Sequence, residues 1–408
     1  MQYTTEFLKE MPKSDLHLHL DGSLRLSSMI EMAKSSGIEL PSNTEEGLRE
    51  KVFKKSYANL GEYLEGFKYT CGVLRNSENI QRAAYELALD NLAENVCYIE
   101  VRFAPQLLMN TSIGLTLDEV LIAANKGLEQ AKKEYNNSKE VTELGKPKFN
   151  YGIICCAMRM FGPTGFSPYY TNLFNVMKYF KPMEVIVLAS MELARASVRL
   201  RDEKGLPIVG IDLAGQEEGY PPNRFKEAYE FAHKNFMHKT VHAGEAYGAE
   251  SVFQAITDCY ADRIGHGYSL FIPELIVDPE IKNKEKYIDN LASFIADKRT
   301  VIEVCLTSNI QTNPLLTNIK EHKFKDMLEN RMATTICTDN RLVSNTTVTD
   351  EYRLAVDNFD IPLKRLKDIV AYGFKKSFYP GSYVEKRQHA KVVMHYFDKV
   401  AKKHGLAQ

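Results

Sequence analysis

The chain has 408 residues, of which 44% are hydrophobic and 26% are charged, and its formal net charge is −1. This length can bury a large core, and the near-neutral charge argues against nucleic acid or an anionic membrane as a partner. We expect a globular protein that acts on a small molecule. We also expect a single domain over residues 1–408, because α/β barrels often reach such lengths as one domain.

The amino terminus and the cysteines indicate the compartment. Residues 1–10 lack the apolar core of a secretion signal, and no stretch approaches the roughly 18 apolar residues of a membrane span. The seven cysteines include the adjacent pair Cys155 and Cys156 but no C-x-x-C motif, which fits neither a disulfide framework nor a thiolate zinc site. These features predict a cytoplasmic protein and say nothing about its oligomeric state.

Eight short runs rich in β-branched or aromatic residues alternate with longer segments of helical periodicity. The predicted strands are 15–19, 97–103, 151–157, 208–213, 240–242, 263–265, 301–304 and 334–338. Helical periodicity is clear at 80–95 and at 227–236. This alternation predicts an α/β fold, a (β/α)8 TIM barrel with decorating helices. In such a barrel the functional groups come from the carboxyl ends of the strands.

Three segments do not fit the minimal repeat. Residues 3–12 precede the first strand, residues 60–74 form a helical stretch between the first two strands, and residues 273–299 are a charged insertion. We expect the first and the third to be solvated decoration of the barrel.

The first predicted strand ends on two histidines, His17 and His19. Residues i and i+2 of a strand point to the same side, so both imidazoles enter one space. Such a pair is half of a metal site, although two hydrogen-bonded core histidines would show the same spacing. His242, His266 and Asp339 also lie at the ends of predicted strands, so they are candidates for the same face of the barrel.

Three imidazoles and one carboxylate suit zinc, with water completing the coordination shell. His17, His19 and His242 would supply the nitrogens and Asp339 the oxygen. The alternative for His242, a hydrogen-bonded core histidine, is weakened because the four side chains converge on one barrel face. The sequence therefore predicts a zinc site at the carboxyl ends of the strands.

Six motifs resemble those of the adenosine deaminase family, within the metal-dependent amidohydrolase barrels, and they occur in family order over nearly the whole chain. They are His17-Leu18-His19-Leu20-Asp21-Gly22, Gly210-Ile211-Asp212-Leu213-Ala214-Gly215, His242-Ala243-Gly244-Glu245, Arg263-Ile264-Gly265-His266-Gly267, Glu303-Val304-Cys305-Leu306-Thr307-Ser308-Asn309 and Thr338-Asp339-Asn340. Leu306 stands where the family commonly has proline. Asn340 replaces the second aspartate of the animal-type enzymes, which resembles one bacterial-type branch of the family. The insertion after His266 also resembles that branch.

The resemblance implies the same four ligands and one Zn²⁺ per chain. Amidohydrolases with two metals bridge them through a carboxylated lysine, and residues 212–215 at the end of the fourth strand contain none.

The resemblance also implies two catalytic residues. Zinc lowers the pKa of bound water to about 7, and His266, between two glycines, is placed to orient that water and stabilise the charge that develops. The alternative is a buried structural histidine. Glu245, three residues beyond His242, could stay protonated if desolvated and donate a proton to a ring nitrogen. Its alternative role is to cap the following helix.

Substrate contacts rest on the resemblance alone. It implies that the Gly215 N–H and the Asn340 amide donate to purine ring nitrogens, and that Asp21 accepts from a ribose hydroxyl. An amide donates at any pH, so asparagine preserves the hydrogen bond of a protonated aspartic acid. A turn glycine is the alternative for Gly215, and a helix N-cap is the alternative for Asp21.

One apolar helical stripe is formed by Leu60, Tyr63, Leu64 and Phe67, at positions i, i+3, i+4 and i+7. By resemblance this helix covers the ribose side of the pocket, and an ordinary core face is the alternative. We interpret Arg102 and Asp212, near strand ends, as structural.

The resemblance thus implies zinc-dependent hydrolysis of adenosine, and of 2′-deoxyadenosine, to inosine and ammonia in purine metabolism, with a small purine nucleoside as the only expected partner. Adenine deaminase is an alternative, although relatives of that specificity usually carry glutamate where Asp21 stands. AMP or N6-methyl-AMP deaminases need phosphate-binding basic residues that the sequence does not reveal. From another class, a catalytically silent zinc-containing binding or signalling protein would be expected to lack Glu245 or a ligand.

Overall fold

Eight parallel strands form the centre of the molecule in a computed structural model that describes residues 3–406. The strands are β1 (Lys13–His19), β2 (Val96–Phe103), β3 (Asn150–Met158), β4 (Ile208–Ala214), β5 (His238–Ala243), β6 (Arg263–His266), β7 (Val301–Val304) and β8 (Thr334–Ile336). Each strand pairs with the next in the chain. Leu18 of β1 bridges Asp339, just beyond β8, so the sheet closes. The predicted (β/α)8 barrel is confirmed.

The predicted strand ends lie within two residues of the observed ones. Strands of a closed parallel barrel are covered on both faces and therefore appear as short, continuous apolar runs. All seven residues of β1 and all eight of β2 are buried, although β1 includes two histidines. The histidines are thus buried polar groups that need partners.

The helices surround the barrel. Within residues 3–406 the α-helices are α1 (Thr5–Glu10), α2 (Leu26–Ser36), α3 (Glu45–Lys51), α4 (Leu60–Leu64), α5 (Phe67–Val73), α6 (Ser77–Leu92), α7 (Pro105–Leu108), α8 (Leu117–Asn136), α9 (Lys139–Thr142), α10 (Pro168–Val176), α11 (Pro182–Lys204), α12 (Lys226–Lys234), α13 (Ala249–Thr257), α14 (Lys284–Lys298), α15 (Leu306–Thr312), α16 (Phe324–Glu329), α17 (Val348–Asn358), α18 (Leu363–Lys375) and α19 (Tyr383–Lys403). No helix in this part of the chain is both long enough and apolar enough to cross a bilayer.

Residues 3–12 are part of the packed structure, so the prediction that they are solvated decoration is wrong. Phe7 and Leu8 of α1 are completely buried, and α1 packs against α17 and α19. The buried Lys13 ammonium donates to the carbonyls of Leu8 at 2.6 Å and Met11 at 2.8 Å, which satisfies the carboxyl end of the helix. A helix of six residues is too short to show periodicity.

The charged segment 273–299 is also not mere decoration, because it contains α14, the helix that links β6 to β7. Its residues Ile288, Leu291 and Ile295 are buried and lie on one face at i, i+3 and i+7. The charges occupy the exposed face. Because they dominate the composition, the segment was not predicted to be an amphipathic helix of the barrel repeat.

Candidate active site

A cavity of about 300 Å³ lies at the carboxyl ends of the strands, a volume at the lower end of the range for small-molecule sites. Its lining combines apolar side chains with polar groups at or just beyond the ends of four strands, β1, β4, β5 and β8. The chemically active members are His19, Asp21, Gly215, His242, Glu245, Asp339 and Asn340.

Four candidate metal ligands meet beside this cavity. Nε2 of His242 lies 3.0 Å from Nε2 of His17 and 3.2 Å from Nε2 of His19. Oδ1 of Asp339 lies 3.4 Å from Nε2 of both His17 and His19. A tetrahedral ion with bonds of about 2.0–2.1 Å would hold its ligand atoms about 3.3 Å apart. The spacing of these buried atoms therefore fits a metal ion of that kind.

The hydrogen bonds of the two histidines support the same conclusion. Nδ1 of His17 lies 2.8 Å from the Glu303 carboxylate, and Nδ1 of His242 lies 3.0 Å from the Asp212 carboxylate. A carboxylate accepts, so the proton of each neutral ring is on Nδ1 and each Nε2 presents a lone pair. Two lone pairs at 3.0 Å repel unless a cation lies between them, and the donor set therefore fits a metal.

Arg102 connects the two carboxylates that orient these histidines. Its guanidinium donates to Asp212 at 3.0 Å and to Glu303 at 2.9 Å, and all three side chains are completely buried. A guanidinium matches this task because its donors form a rigid fork. The predicted structural roles of Arg102 and Asp212 agree with these contacts. Glu303 was given no role by the sequence analysis, although it opens one of the six motifs.

His266 lies beside the candidate ligands, and a chain of hydrogen bonds determines its tautomer. Burial lowers the pKa of His322 to about 3, so this ring is neutral; its Nδ1 accepts from the Phe324 N–H at 2.9 Å. Its Nε2 therefore donates to Oδ1 of Asn309 at 3.1 Å. The Asn309 amide then donates to Nδ1 of His266 at 3.2 Å. It follows that Nε2 of His266 carries a proton.

That Nε2 atom faces Glu245. The distance from Nε2 of His266 to Oε1 of Glu245 is 3.6 Å, and both side chains are buried. Burial, reinforced by the charges of Asp339 and Glu217, raises the pKa of Glu245 to about 8, so its carboxyl can hold a proton at neutral pH. The alternative interpretation as a helix cap is wrong, because α13 begins at Ala249 and Gly248 is its N-cap.

Two residues of the site have backbone conformations that are unusual for their type. His266 and Asp339 both have φ near +64°, in the left-handed region, which costs roughly 1–2 kcal/mol for a residue with a Cβ. Such conformations persist where the surrounding structure fixes them, and they cluster at functional sites.

Asp21 lies on the cavity wall with an unsatisfied oxygen. The residue is 3% exposed, and Oδ1 has no hydrogen-bond partner among the described residues. Burial raises its pKa to about 7. The helix-cap alternative is wrong, because α2 begins at Leu26 and its N-cap is Arg25. Gly215, at φ +98°, also lines the cavity, in a conformation that favours glycine.

Asn340 is held at the cavity wall by a hydrogen bond to Tyr63 of α4. Its amide nitrogen donates to the Tyr63 hydroxyl at 2.8 Å, and that hydroxyl lies 2.7 Å from Oγ of Ser344. A Cβ on Gly22 would lie 1.8 Å from Oδ1 of Asn340, so only glycine allows this approach. One N–H of the amide remains for a ligand.

The predicted stripe residues all line the cavity: Leu60, Tyr63, Leu64 and Phe67. They do not lie on one continuous helix, however. α4 ends at Leu64 and α5 begins at Phe67. Glu65 and Gly66 between them keep right-handed helical dihedral angles, but the N–H groups of Glu65 and Lys68 bond to carbonyls three residues back, as in a 3₁₀ turn. Glu217 and His322 lie outside the six motifs, and Asn309 closes one of them without a predicted role. The importance of all three depends on contacts between distant segments.

Comparisons with known proteins agree with this geometry. The family model described as adenosine deaminase matches residues 12–168 and 172–394. An adenosine deaminase of Mycolicibacterium vanbaalenii is 34% identical over 380 residues, which are 92% of each chain. A probable adenosine deaminase of Dictyostelium discoideum is 32% identical over 378 residues, 92% of this chain but 42% of that protein. The chain thus spans less than half the length of that relative.

Solved structures show the same architecture at lower identity. The N6-methyl-AMP deaminase of Arabidopsis thaliana superposes with a TM-score of 0.71 at 24% identity, over 98% of this chain and all of that one. An amidohydrolase of Burkholderia ambifaria with bound Zn has a TM-score of 0.74 at 18% identity, over 98% and 94% of the two chains. These identities show the shared fold. The family model and the relatives show more: this chain belongs to the adenosine deaminase family of hydrolytic deaminases, which act on small purines.

Proposed function

We propose that the protein is a zinc-dependent adenosine deaminase that converts adenosine, and also 2′-deoxyadenosine, to inosine and ammonia. The observation that carries the proposal is the position of the Glu245 carboxyl beside the four candidate ligands, on the wall of one small cavity where burial raises its pKa to about 8. A proton donor beside a metal is what addition of water to a purine ring requires.

We assign zinc to the cluster formed by His17, His19, His242 and Asp339. Three imidazoles and a carboxylate suit this ion, and a shell that expands beyond these four ligands would admit the water. A bound zinc would supply a water of lowered pKa, about 7, as the nucleophile. The zinc in the Burkholderia ambifaria amidohydrolase, which shares the fold, supports the choice.

The protein's own residues then have separate tasks. Glu245 donates its proton to N1 of the purine ring, which makes C6 electrophilic. The N–H at Nε2 of His266 orients the attacking water and stabilises the charge that develops at its oxygen. The amino group then takes the proton of the hydroxyl group added at C6 and leaves as ammonia as the C6–N bond breaks, while the C6 oxygen becomes the carbonyl of inosine.

Binding of the purine is assigned to Gly215 and Asn340. The Gly215 N–H and the free N–H of the Asn340 amide donate to ring nitrogens, while Leu60, Leu64 and Phe67 cover the sugar side. Tyr63 cannot move independently of this arrangement, because its hydroxyl accepts from Asn340.

The cavity lining favours a nucleoside over a nucleotide. Among the described residues that line it, none is lysine or arginine, whereas phosphate recognition relies on such cations. AMP or N6-methyl-AMP, the second candidate substrate because of the Arabidopsis thaliana neighbour, would place its phosphate near Asp21 without a counter-charge. The unsatisfied Oδ1 of Asp21 favours adenosine over adenine, since only the nucleoside has hydroxyl groups to donate.

Replacement of Asp21 tests this assignment. A hydrogen bond to a charged group contributes roughly 1.5–3 kcal/mol, so Asp21→Ala should lower kcat/KM for adenosine by about 10- to 150-fold. Activity on adenine should change little. Assays at pH 8 keep the carboxyl, whose pKa is raised to about 7, mainly ionised.

Asp21→Asn is the matched control, because it keeps the size and one acceptor oxygen and should retain more activity than the alanine variant. Equal losses for adenosine and adenine in Asp21→Ala would contradict the role in ribose binding, and a wild-type preference for AMP would contradict the nucleoside assignment.

A further inference from the structure

The carboxylate of Glu217 is wrapped by the loop that carries Glu245. Oε1 of Glu217 accepts from the backbone N–H of Gly244 at 2.8 Å. Oε2 accepts from three successive N–H groups, those of Glu245 at 2.9 Å, Ala246 at 2.7 Å and Tyr247 at 3.0 Å. Four consecutive amides thus converge on one side chain, in the manner of an anion-binding nest.

A fifth donor joins this loop to the helix that follows it. The Ser251 hydroxyl, in the first turn of α13, donates to Oε1 of Glu217. Glu217 is 1% exposed, and burying a carboxylate is costly unless hydrogen bonds compensate. No other carboxylate in residues 3–406 accepts four backbone amides. These five hydrogen bonds therefore fix the backbone of the short loop 244–247.

The loop determines where Glu245 lies. The Glu245 carboxyl forms no hydrogen bond with the described side chains, and its Oε1 lies 3.6 Å from Nε2 of His266. A side chain without partners is placed by its backbone and by packing. The backbone of Glu245 is held at both sides by bonds to Glu217, so the position of the proton donor depends on that residue.

We propose that Glu217 is the positioning residue for Glu245: by holding the amides of residues 244–247, it presents the Glu245 carboxyl to the purine ring. The inference rests on the proposed function, which makes Glu245 the proton donor. Glu217 does not touch the substrate, and its effect passes through the loop. When Glu217 is altered, the protein should therefore bind its substrate equally well, but Glu245 should transfer its proton less efficiently.

Glu217→Gln is the first test. Glutamine keeps the size but directs an NH2 group at backbone N–H donors, so the loop must shift. Because a displacement near 1 Å can cost about 10²-fold, we expect kcat to fall about 10- to 100-fold, while KM stays within about three-fold. Metal content should be unchanged. Amide hydrogen exchange of residues 244–247 should become faster, which reports loop opening independently of activity.

Glu250→Gln is the matched control. Glu250 lies on α13, is 6% exposed and, like Glu217, accepts backbone amides, from Val277 at 2.8 Å and Asp278 at 3.1 Å. Those amides belong to a loop that does not carry Glu245. The control should lower stability to a similar degree but leave kcat within about two-fold of the wild type.

A double-mutant cycle separates positioning from general structure. If Glu217 acts through Glu245, then adding Glu217→Gln to Glu245→Gln should lower kcat by less than about three-fold, because the donor is already lost. Full additivity would overturn the proposal. So would a Glu217→Gln protein whose kcat is within two-fold of the wild type, or one that has lost its metal.

Ser251→Ala keeps the proposal testable if Glu217→Gln does not fold. It removes one of the five donors and should lower kcat about two- to five-fold without a change in KM; an unchanged kcat would contradict the inference. All rates are measured on whichever purine the wild-type protein deaminates. A wild type that prefers another purine contradicts the proposed substrate but leaves the test of Glu217 intact.

Discussion

Glu245→Gln is expected to lower kcat by about 10²-fold or more, with zinc content unchanged. The substitution keeps the size and polarity of the side chain and removes the proton that the buried carboxyl holds at neutral pH. Since the pKa of Glu245 is raised to about 8, the wild-type residue is mainly protonated there. Steady-state kinetics on adenosine, together with metal analysis of the same samples, measure both quantities.

The control for this variant is Glu218→Gln, which changes the exposed glutamate that follows Glu217 in the sequence. It should behave like the wild type. Near-normal turnover in Glu245→Gln would assign proton donation to another group, and loss of zinc in that variant would make Glu245 a metal-site residue instead.

Removal of the metal is expected to have the largest effect of all. Activation of water by zinc contributes several kcal/mol to the reaction, so exhaustive chelation should lower turnover by at least about 10³-fold. Turnover should return with one equivalent of Zn²⁺ per chain, because the described residues bring four ligands to one point. Titration of the metal-free protein with zinc, followed by activity and by metal analysis, gives this number.

His17→Asn should prevent this recovery, and the control His238→Asn should not. His238 begins β5, at the opposite end of the strand from the candidate ligands; it is half exposed and lies 3.6 Å from Asp262. Full turnover after chelation, or a requirement for two equivalents of zinc, would contradict the assignment of one catalytic ion.

The barrel is predictable from the sequence because eight short runs, most of them rich in β-branched or aromatic residues, alternate with longer segments of helical periodicity. The packing of the amino-terminal segment 3–12 and of the segment 273–299 is less predictable. Phe7 and Leu8 are two apolar residues in a helix of six, which is too short for a periodic signal. In α14 the charges of the outer face outnumber the buried residues, and the segment therefore looks like solvated decoration. The short break between α4 and α5 interrupts a stripe whose spacing indicates one helix.

The candidate ligands are predictable for a different reason. Parallel strands bring their carboxyl ends to one side of a barrel, so residues far apart in the chain, such as His17 and Asp339, must come together. No such rule locates Glu217, Asn309 or His322. Their roles depend on side chains from separate loops that meet by packing, and a single sequence carries no periodicity that reports such contacts. Glu217 follows a recognised motif by two residues, and this proximity is its only sequence signal.

A comparison of substrates with the zinc-loaded protein tests the central claim most directly. The ultraviolet absorbance change on deamination gives kcat/KM for adenosine, 2′-deoxyadenosine, adenine and AMP under one set of conditions. Adenosine should be the best substrate or equal to 2′-deoxyadenosine, adenine should be weaker because it lacks the sugar hydroxyls, and AMP should be poor because no cation lines the cavity among the described residues. A higher kcat/KM for adenine or AMP than for adenosine, or no deamination of any of them, would contradict the account.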